Sequence, residues 1–409
     1  MKGNLKLNIW YISAYDAPNG VASRTYDYAV ELTGLGHHIT IFTSSYSHFT
    51  HREHLQKGEK WREEWFGGIR VIWLKTIPYE DNGLGRGLNM LSNAWRALQV
   101  GRTIRPAPDV IFGPSVPLFT GLSACLLSRI LNSKFCFEVR DIWPQALIDI
   151  GALSQNSPIT LIFRMIERIL YHRADRIIAV LPFAYRHICR CGVNRSSIEW
   201  VPNGVRLARF KDCAPFDGGK PDSLVVAYAG GGSKYGHDLD VILEAAKILQ
   251  DEGVRGVRFV IIGGGNQSAS ISTRAQHLGV KDFELRPAVP KAEIPKELNT
   301  ADLLVASVKD TPVYQFGINS NKIFDYLGSG RPIIFAGKSA NDPVADANAG
   351  VTIPPEDPRA MSRAILAFLK MDPAERKRLG DNGLQYAREH LDTAVLARKL
   401  ENILLDLEA

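Results

Sequence analysis

The sequence predicts an α/β chain made of two doubly wound domains, each a parallel sheet between layers of helices. Three observations point there. Both halves repeat short β-rich runs followed by helical stretches, the rhythm of parallel strands joined by crossover helices. The strand runs are nearly continuous in Val, Ile, Leu and Phe, as strands covered on both faces require. The stretch Phe210–Ser223, with Pro215, Gly218, Gly219 and Pro221, interrupts the rhythm and separates the halves.

In the first half the strands read as Asn8–Ser13, His38–Ser44, Ile69–Leu74, Asp109–Gly113, Lys134–Arg140 and Arg176–Leu181. In the second they read as Leu224–Ala229, Val257–Gly263, Phe283–Arg286, Asp302–Ala306 and Pro332–Ala336. The domains are drawn as 1–205 and 206–389, with the C-terminal helix 390–409 returning to the first. Open α/β sheets bind ligands beyond the carboxyl ends of their strands, so the loops after strands are where chemistry belongs. With two such domains, the cleft between them is the natural site.

Composition narrows the class. The chain has 409 residues, 45% hydrophobic and 22% charged, enough to bury sizeable cores and unlike disordered or collagenous sequences. No run approaches the ~20 apolar residues that span a bilayer, and the N-terminal segment lacks a signal peptide's apolar core, so a cytoplasmic protein is expected. Five cysteines form no CxxC pair and read as reduced thiols; Cys189 and Cys191 find no ligand partners at metal spacing. The net charge of +6 sits wholly in residues 1–200, with 23 Lys and Arg against 16 Asp and Glu. That half is expected to face something anionic, a phospholipid surface rather than nucleic acid.

Several post-strand loops carry the residue types of a phosphate site. The first strand runs into Asn19-Gly20 ahead of a helix start, where free backbone N–H groups can meet a phosphate or a sugar oxygen. The second domain opens with a strand followed by Gly230, Gly231, Gly232, Ser233 and Lys234, a loop that allows close main-chain approach and supplies a point charge. Gly263-Gly264-Gly265 repeats the pattern after the next strand. Neither is a Walker loop or a dinucleotide fingerprint. Further on, Asn319-Ser320-Asn321 reads as a loop and N-cap whose amides suit an anion. Lys322 and Asp325, three residues apart on the following helix, suit a diphosphate and ribose hydroxyls, or form an intrahelical ion pair. In the first domain Glu138, Arg140 and Asp141 end a strand. Asp141 is placed to orient a hydroxyl nucleophile or take its proton, and Arg140 to bind phosphate or fix Asp141; a salt bridge pinning the loop is the alternative.

With these residues in view, the chain resembles the retaining GT-B glycosyltransferases of family 4 over nearly its whole length. Carrying the resemblance are Pro18-Asn19-Gly20, Val201-Pro202-Asn203-Gly204-Val205, Tyr228–Lys234, Val260–Gly265, Ala301-Asp302 and Asn321–Pro332. The run Val139-Arg140-Asp141-Ile142-Trp143-Pro144 is similar to a subgroup that includes bacterial L-fucosamine transferases of surface-polysaccharide synthesis. The resemblance implies two Rossmann-like domains facing across a cleft. It also implies metal-independent transfer, with retention, from a UDP-linked sugar to a glycan or polyprenyl-diphosphate-linked acceptor, the nucleotide-sugar being a substrate and no cofactor being needed. It assigns the donor to Gly231, Gly232, Ser233, Lys234, Gly264, Asn319, Ser320, Asn321, Lys322 and Asp325, with Asp325, Tyr326 and the Gly330-Arg331-Pro332 turn at the ribose. Asp141 and Arg140 are the expected catalytic pair, and Asn19 and Gly20 lie on the acceptor side. The sequence departs from the family at Gly317, where many members carry a glutamate. A nucleotide-sugar 2-epimerase on the same scaffold and a non-catalytic partner subunit are the competing readings.

One stretch of the first domain stands apart. Between Asn82 and Pro108 there is no acidic residue, while Arg86, Arg96, Arg102 and Arg105 occur. Leu84, Leu88, Leu91, Trp95 and Leu98 recur at helical spacing. The stripe over 84–105 reads either as core packing or as a face lying on an anionic leaflet.

Overall fold

The computed structural model describes residues 5–16, 18, 24–48, 50–80, 83–231, 238–264 and 268–408. It divides into two compact units. The first takes the chain as far as Pro202 and again from Leu396; the second is Asn203–Val395.

In the first unit the strands are β1 (Asn8–Ile12), β2 (His38–Ser44), β3 (Trp61–Phe66), β4 (Ile69–Leu74), β5 (Val110–Pro114), β6 (Lys134–Val139), β7 (Arg176–Ala179) and β8 (Ile198–Trp200). They form one sheet in the order β3-β4-β2-β1-β5-β6-β7-β8, parallel except for the β3–β4 pair. Its helices are α1 (Arg24–Gly34), α2 (Leu84–Gly101), α3 (Leu118–Leu131), α4 (Gln145–Asp149), α5 (Pro158–Arg173) and α6 (Tyr185–Arg190). Interior strands are apolar along their length because helices cover both faces: β5 and β6 bury Val110, Ile111, Phe112, Phe135, Phe137 and Val139. Strands β3 and β8 were not legible. The first, Trp-Arg-Glu-Glu-Trp-Phe, is a half-exposed antiparallel edge, and the second has three residues.

The second unit carries β9 (Leu224–Gly231), β10 (Val257–Gly264), β11 (Phe283–Arg286), β12 (Leu303–Ser307), β13 (Ile333–Ala336) and β14 (Gly350–Ile353). Their order is β11-β10-β9-β12-β13-β14, parallel throughout. Its helices are α7 (Asp240–Asp251), α8 (Ser268–Leu278), α9 (Ile294–Leu298), α10 (Asn321–Ser329), α11 (Pro343–Asp346), α12 (Pro358–Lys370) and α13 (Pro373–Tyr386). The last helix, α14 (Thr393–Glu408), sends Leu396, Ala397, Leu400 and Leu404 into the first unit's core beside Tyr28 and Leu32 of α1.

Phe210–Ser223 does not separate the units but lies wholly inside the second. Before that stretch Val205 and Leu207 have already joined its core, and with Phe210 they close over Gly328 of α10, where an added Cβ would meet them at 3.0–3.6 Å.

The stripe on α2 does not enter the core either. Leu84, Leu88, Leu91 and Trp95 are exposed, while Asn89, Met90, Asn93, Ala94 and Ala97 turn inward. Asparagine can face in because Asn89 Nδ2 donates to Thr76 Oγ1 (3.0 Å) and to the Ile77 carbonyl (2.7 Å).

Candidate functional site

In the second unit the chemistry gathers where β9, β10 and α10 end or begin. Strands β9 and β10 run in register to their glycines, Gly230 opposite Gly263 and Gly231 opposite Gly264. Gly230 has φ +140°, and a Cβ there would stand 2.7 Å from Lys322 Cε. Glycine thus lets the lysine lie along the strand end. From the first turn of α10, Lys322 Nζ donates to the Tyr228 hydroxyl and sits 4.2 Å from that ring's centroid. Among the described residues no carboxylate offsets its burial, and desolvation lowers its pKa to about 7.

Asp325, one turn on, is 8% exposed and pairs with Lys291 of the segment before α9. The intrahelical Lys322–Asp325 pair is therefore not formed; each finds its partner across the fold. Tyr326 pins α10 to β9, its hydroxyl accepting from Ala229 N–H (2.8 Å) and donating to the Ala229 carbonyl (3.2 Å). The helix begins at N-cap Ser320, whose side chain makes no capping bond. Asn319 Oδ1 accepts from Asn203 N–H (2.9 Å) and Asn321 Oδ1 from Asn203 Nδ2 (2.8 Å). The turn is accordingly fixed by its asparagine side chains while Ser320 leaves the helix-start N–H groups uncapped, the arrangement that favours an anion. Gly317, at φ +105°, occupies backbone space that glutamate adopts only with strain.

Arg331 corrects the expected ribose grip at the Gly330-Arg331-Pro332 turn. It is buried and donates to the carbonyls of Asn299, Ala301 and Ser329, so it holds backbone and not ligand. Gly232, Ser233, Lys234, Asn19 and Gly20 lie outside the described residues.

In the first unit, β6 ends in a buried ion network. Arg140 meets Asp16 (2.8 Å), Glu138 (2.7 Å) and Thr25 Oγ1 (2.5 Å). Arg24 bonds Glu138 (2.9 Å) and the Pro202 carbonyl (2.5 Å). Burial would raise the Glu138 pKa, but Arg24 and Arg140 outweigh it and hold the carboxyl at about 2. The expected phosphate role of Arg140 is corrected by this: its guanidinium is committed to two carboxylates, making it a positioning residue. Asp141 differs. Its main chain is clamped by Ser115 Oγ, which donates to the Asp141 carbonyl (2.7 Å) and accepts from Asp141 N–H (3.2 Å). Asp141 itself is exposed, unlike Glu138 and Asp16 of the network.

Sequence reasoning missed a hollow at the ends of β1 and β2, lined by Tyr15, Ser45, Tyr46, His48, His54 and Trp73. His48 Nδ1 meets the Tyr79 hydroxyl at 2.5 Å, and desolvation, then Arg86 and His51, lower its pKa to about 4, leaving it neutral at ordinary pH. Three histidines in seven residues after a strand were the available signal.

Among the described residues, Glu167, His187 and Cys191 gather ligand-type atoms within 4.8 Å. The expectation that Cys191 has no partner fails because α6 sets His187 one turn before it, Nε2 to Sγ 4.0 Å. The cluster accounts for itself as an ion pair, His187 Nε2 to Glu167 Oε1 at 2.9 Å, with Tyr171 donating to the same oxygen. Burial opposes protonation of His187, but Cys191 and Glu167 outweigh it and raise its pKa to about 9. Since the folded value exceeds the unfolded one of ~6.5, the stabilisation is full below that pH and lost as pH rises through 9. His187→Gln is expected to lower stability at pH 6 and to erase the wild-type decline between about pH 7 and about pH 9.5, read by urea unfolding. Equal losses at both pH values would contradict it.

Residues 19–204 match the glycosyl transferase 4-like domain, and residues 223–371 match glycosyl transferases group 1. No curated protein matches the chain. Among solved structures, sucrose-phosphate synthase from Thermosynechococcus elongatus is 15% identical with a TM-score of 0.73, over 98% of this chain and 99% of that one. Anabaena HepE in complex with UDP and glucose is 15% identical at TM-score 0.69, over 97% and 99%. WaaG, a glycosyltransferase involved in lipopolysaccharide biosynthesis, is 15% identical at TM-score 0.67, over 97% and 99%. The chain is thus a glycosyltransferase of the GT-B fold, a glycosyl transferase 4-like domain followed by a glycosyl transferases group 1 domain.

Proposed function

We propose that the protein is a hexosyltransferase of bacterial surface-polysaccharide synthesis. It moves a sugar, with retention of configuration, from a UDP-linked donor to a glycan or polyprenyl-diphosphate-linked acceptor. The observation that carries the donor half is Lys322, desolvated over Tyr228 beside an uncapped helix start. A diphosphate arriving there restores the charge that burial removes and meets free N–H groups, so the developing negative charge of the leaving group is neutralised without a metal ion or other cofactor. Gly232, Ser233 and Lys234, next in sequence after β9, are assigned to the same diphosphate, and Asp325 receives the ribose hydroxyls. The UDP and UDP-glucose held by Anabaena HepE favour uracil as the base.

On the acceptor side Asp141, exposed just past the end of β6, takes up the nucleophile's proton, and Asn19 and Gly20 contact the acceptor. The exposed stripe of α2 favours a lipid-linked acceptor met at the inner face of the membrane, with nucleic acid playing no part. Among the described residues no helix is long and apolar enough to cross a membrane.

A thermal-shift comparison tests this reading. UDP is expected to raise the Tm more than GDP or dTDP, by mass action on the folded state. In Asp325→Ala most of that shift disappears, with affinity lowered about tenfold or more as two charged-acceptor bonds are lost. No shift with any nucleotide would overturn the donor assignment; an undiminished shift in the variant would remove Asp325 from the ribose.

A further inference from the structure

We infer that the outward face of three adjacent helices, α2, α3 and α5, forms one docking surface for an anionic phospholipid bilayer. This deepens the membrane contact proposed above for α2, and rests on it, by adding two neighbouring helices. On α2 the exposed stripe is Leu84 (90% exposed), Leu88, Leu91 and Trp95 (61%). On α5 it is Ile159, Leu161 (58%), Ile162, Met165 (57%) and Ile169. Helix α3 packs against both and exposes Leu126 and Ile130. All three helices lie within the first unit.

These side chains are surplus to the core. Each helix already buries a separate face, Met90, Ala94 and Ala97 on α2, Ala124 and Leu127 on α3, Ile166, Leu170 and Tyr171 on α5. Single exposed leucines are ordinary on any surface, but apolar rows on three neighbouring helices mark a place of contact.

Charge identifies the occupant. The helices carry Arg96, Arg129, Arg164, Arg168 and Arg173, and Arg102 and Arg105 follow α2 directly; Arg86 of α2 turns instead to the Tyr15 ring, 5.8 Å from its centroid. The single carboxylate among the three is Glu167, which is buried against His187 and Tyr171. An apolar centre with arginines around it and no exposed acid complements acyl chains below anionic headgroups. Arginine stems can lie along the apolar surface while the guanidinium reaches phosphate, and Trp95 suits the interface. The helices lie on the membrane in this arrangement and do not enter it as spans.

Co-sedimentation of the full-length protein with vesicles tests the proposal. Binding is expected to vesicles of phosphatidylcholine with about one third phosphatidylglycerol, weaker to phosphatidylcholine alone, and to fall at high salt. The α5 variant Leu161→Glu/Met165→Glu and the α2 variant Leu88→Glu/Trp95→Glu should each lower the bound fraction about fivefold or more. Both should keep the wild-type Tm and UDP affinity, because the altered side chains are exposed and belong to the first unit, whereas the candidate donor residues belong to the second. If the α5 variant binds as the wild type does while the α2 variant does not, the three-helix surface is wrong and the α2 contact stands. Failure of the wild type to bind any vesicle overturns both. A wild-type dimer that either variant dissociates, without vesicle binding, assigns the face to a second copy and also overturns the proposal.

Discussion

Lys322→Met is expected to weaken binding of a UDP-sugar about thirty- to a hundredfold without lowering the Tm. The affinity follows from a charge-assisted contact to the diphosphate, worth about 2–3 kcal/mol. The stability follows from the opposite sign of the same burial. A lysine whose folded pKa is about 7 against ~10.5 unfolded costs stability in full below pH 7, and the cost fades only as pH rises from 7 towards 10.5, so its burial works against folding at neutral pH. Methionine retains the stem over Tyr228 and removes that cost, and the variant should melt at the same temperature or higher.

The pH dependence separates this from a packing effect. Diphosphate binds the protonated amine best, so binding should take up a proton above pH 7 and affinity should fall about tenfold between about pH 7 and about pH 8.5. UDP-glucose is the suitable probe because its diphosphate loses no proton in that range. In calorimetry the wild-type enthalpy should vary with the buffer's ionisation enthalpy, and the Lys322→Met enthalpy should not. A flat wild-type profile would remove Lys322 from the diphosphate.

Local chemistry was legible in the sequence where it depends on neighbours, and hidden where it depends on crossover geometry. Asn319–Asn321 before a helix, and Lys322 and Asp325 on one side of it, follow from spacing alone. Their partners do not. Tyr228 and Lys291 stand 94 and 34 residues away and arrive through parallel strands. Interior strands announce themselves by continuous apolar runs; of the edge strands only β11 (Phe283–Arg286) is legible, while β3, β8 and β14 are not, β14 because Val351 and Thr352 face solvent. The stripe on α2 was visible, but its direction was set by Asn89, whose amide is satisfied inside by Thr76 and Ile77. At β6 the alternation was informative in hindsight. Glu138 and Arg140, two apart on a strand end, share a side, and that side leads inward to Asp16 and Arg24.

Arg140→Met is expected to destabilise the first unit by about 3–5 kcal/mol, the cost of leaving buried carboxylates without their cation. The network holds Asp16 and Glu138 against Arg24 and Arg140, charges balanced two by two. Without Arg140 the balance is one negative charge in excess, in a place where neither carboxylate reaches water. The Glu138 pKa, held at about 2 by the two arginines against desolvation, must then climb. A depressed carboxylate stabilises above its unfolded pKa of about 4.5 and loses that contribution as pH falls towards 2. The deficit of the variant should therefore be largest near neutrality and shrink below about pH 4.5, as protonation relieves the stranded charge. All seven tryptophans precede Asn203, so their fluorescence in urea reports the first unit apart from the second. Arg140→Lys should recover part of the loss, since one ammonium cannot meet Asp16, Glu138 and Thr25 in the geometry of the guanidinium. Because Asp141 follows directly, the Met variant should also lower kcat more than it raises KM for the donor, the mark of a residue that positions a neighbour; a deficit equal at pH 7 and pH 4 would contradict the network account.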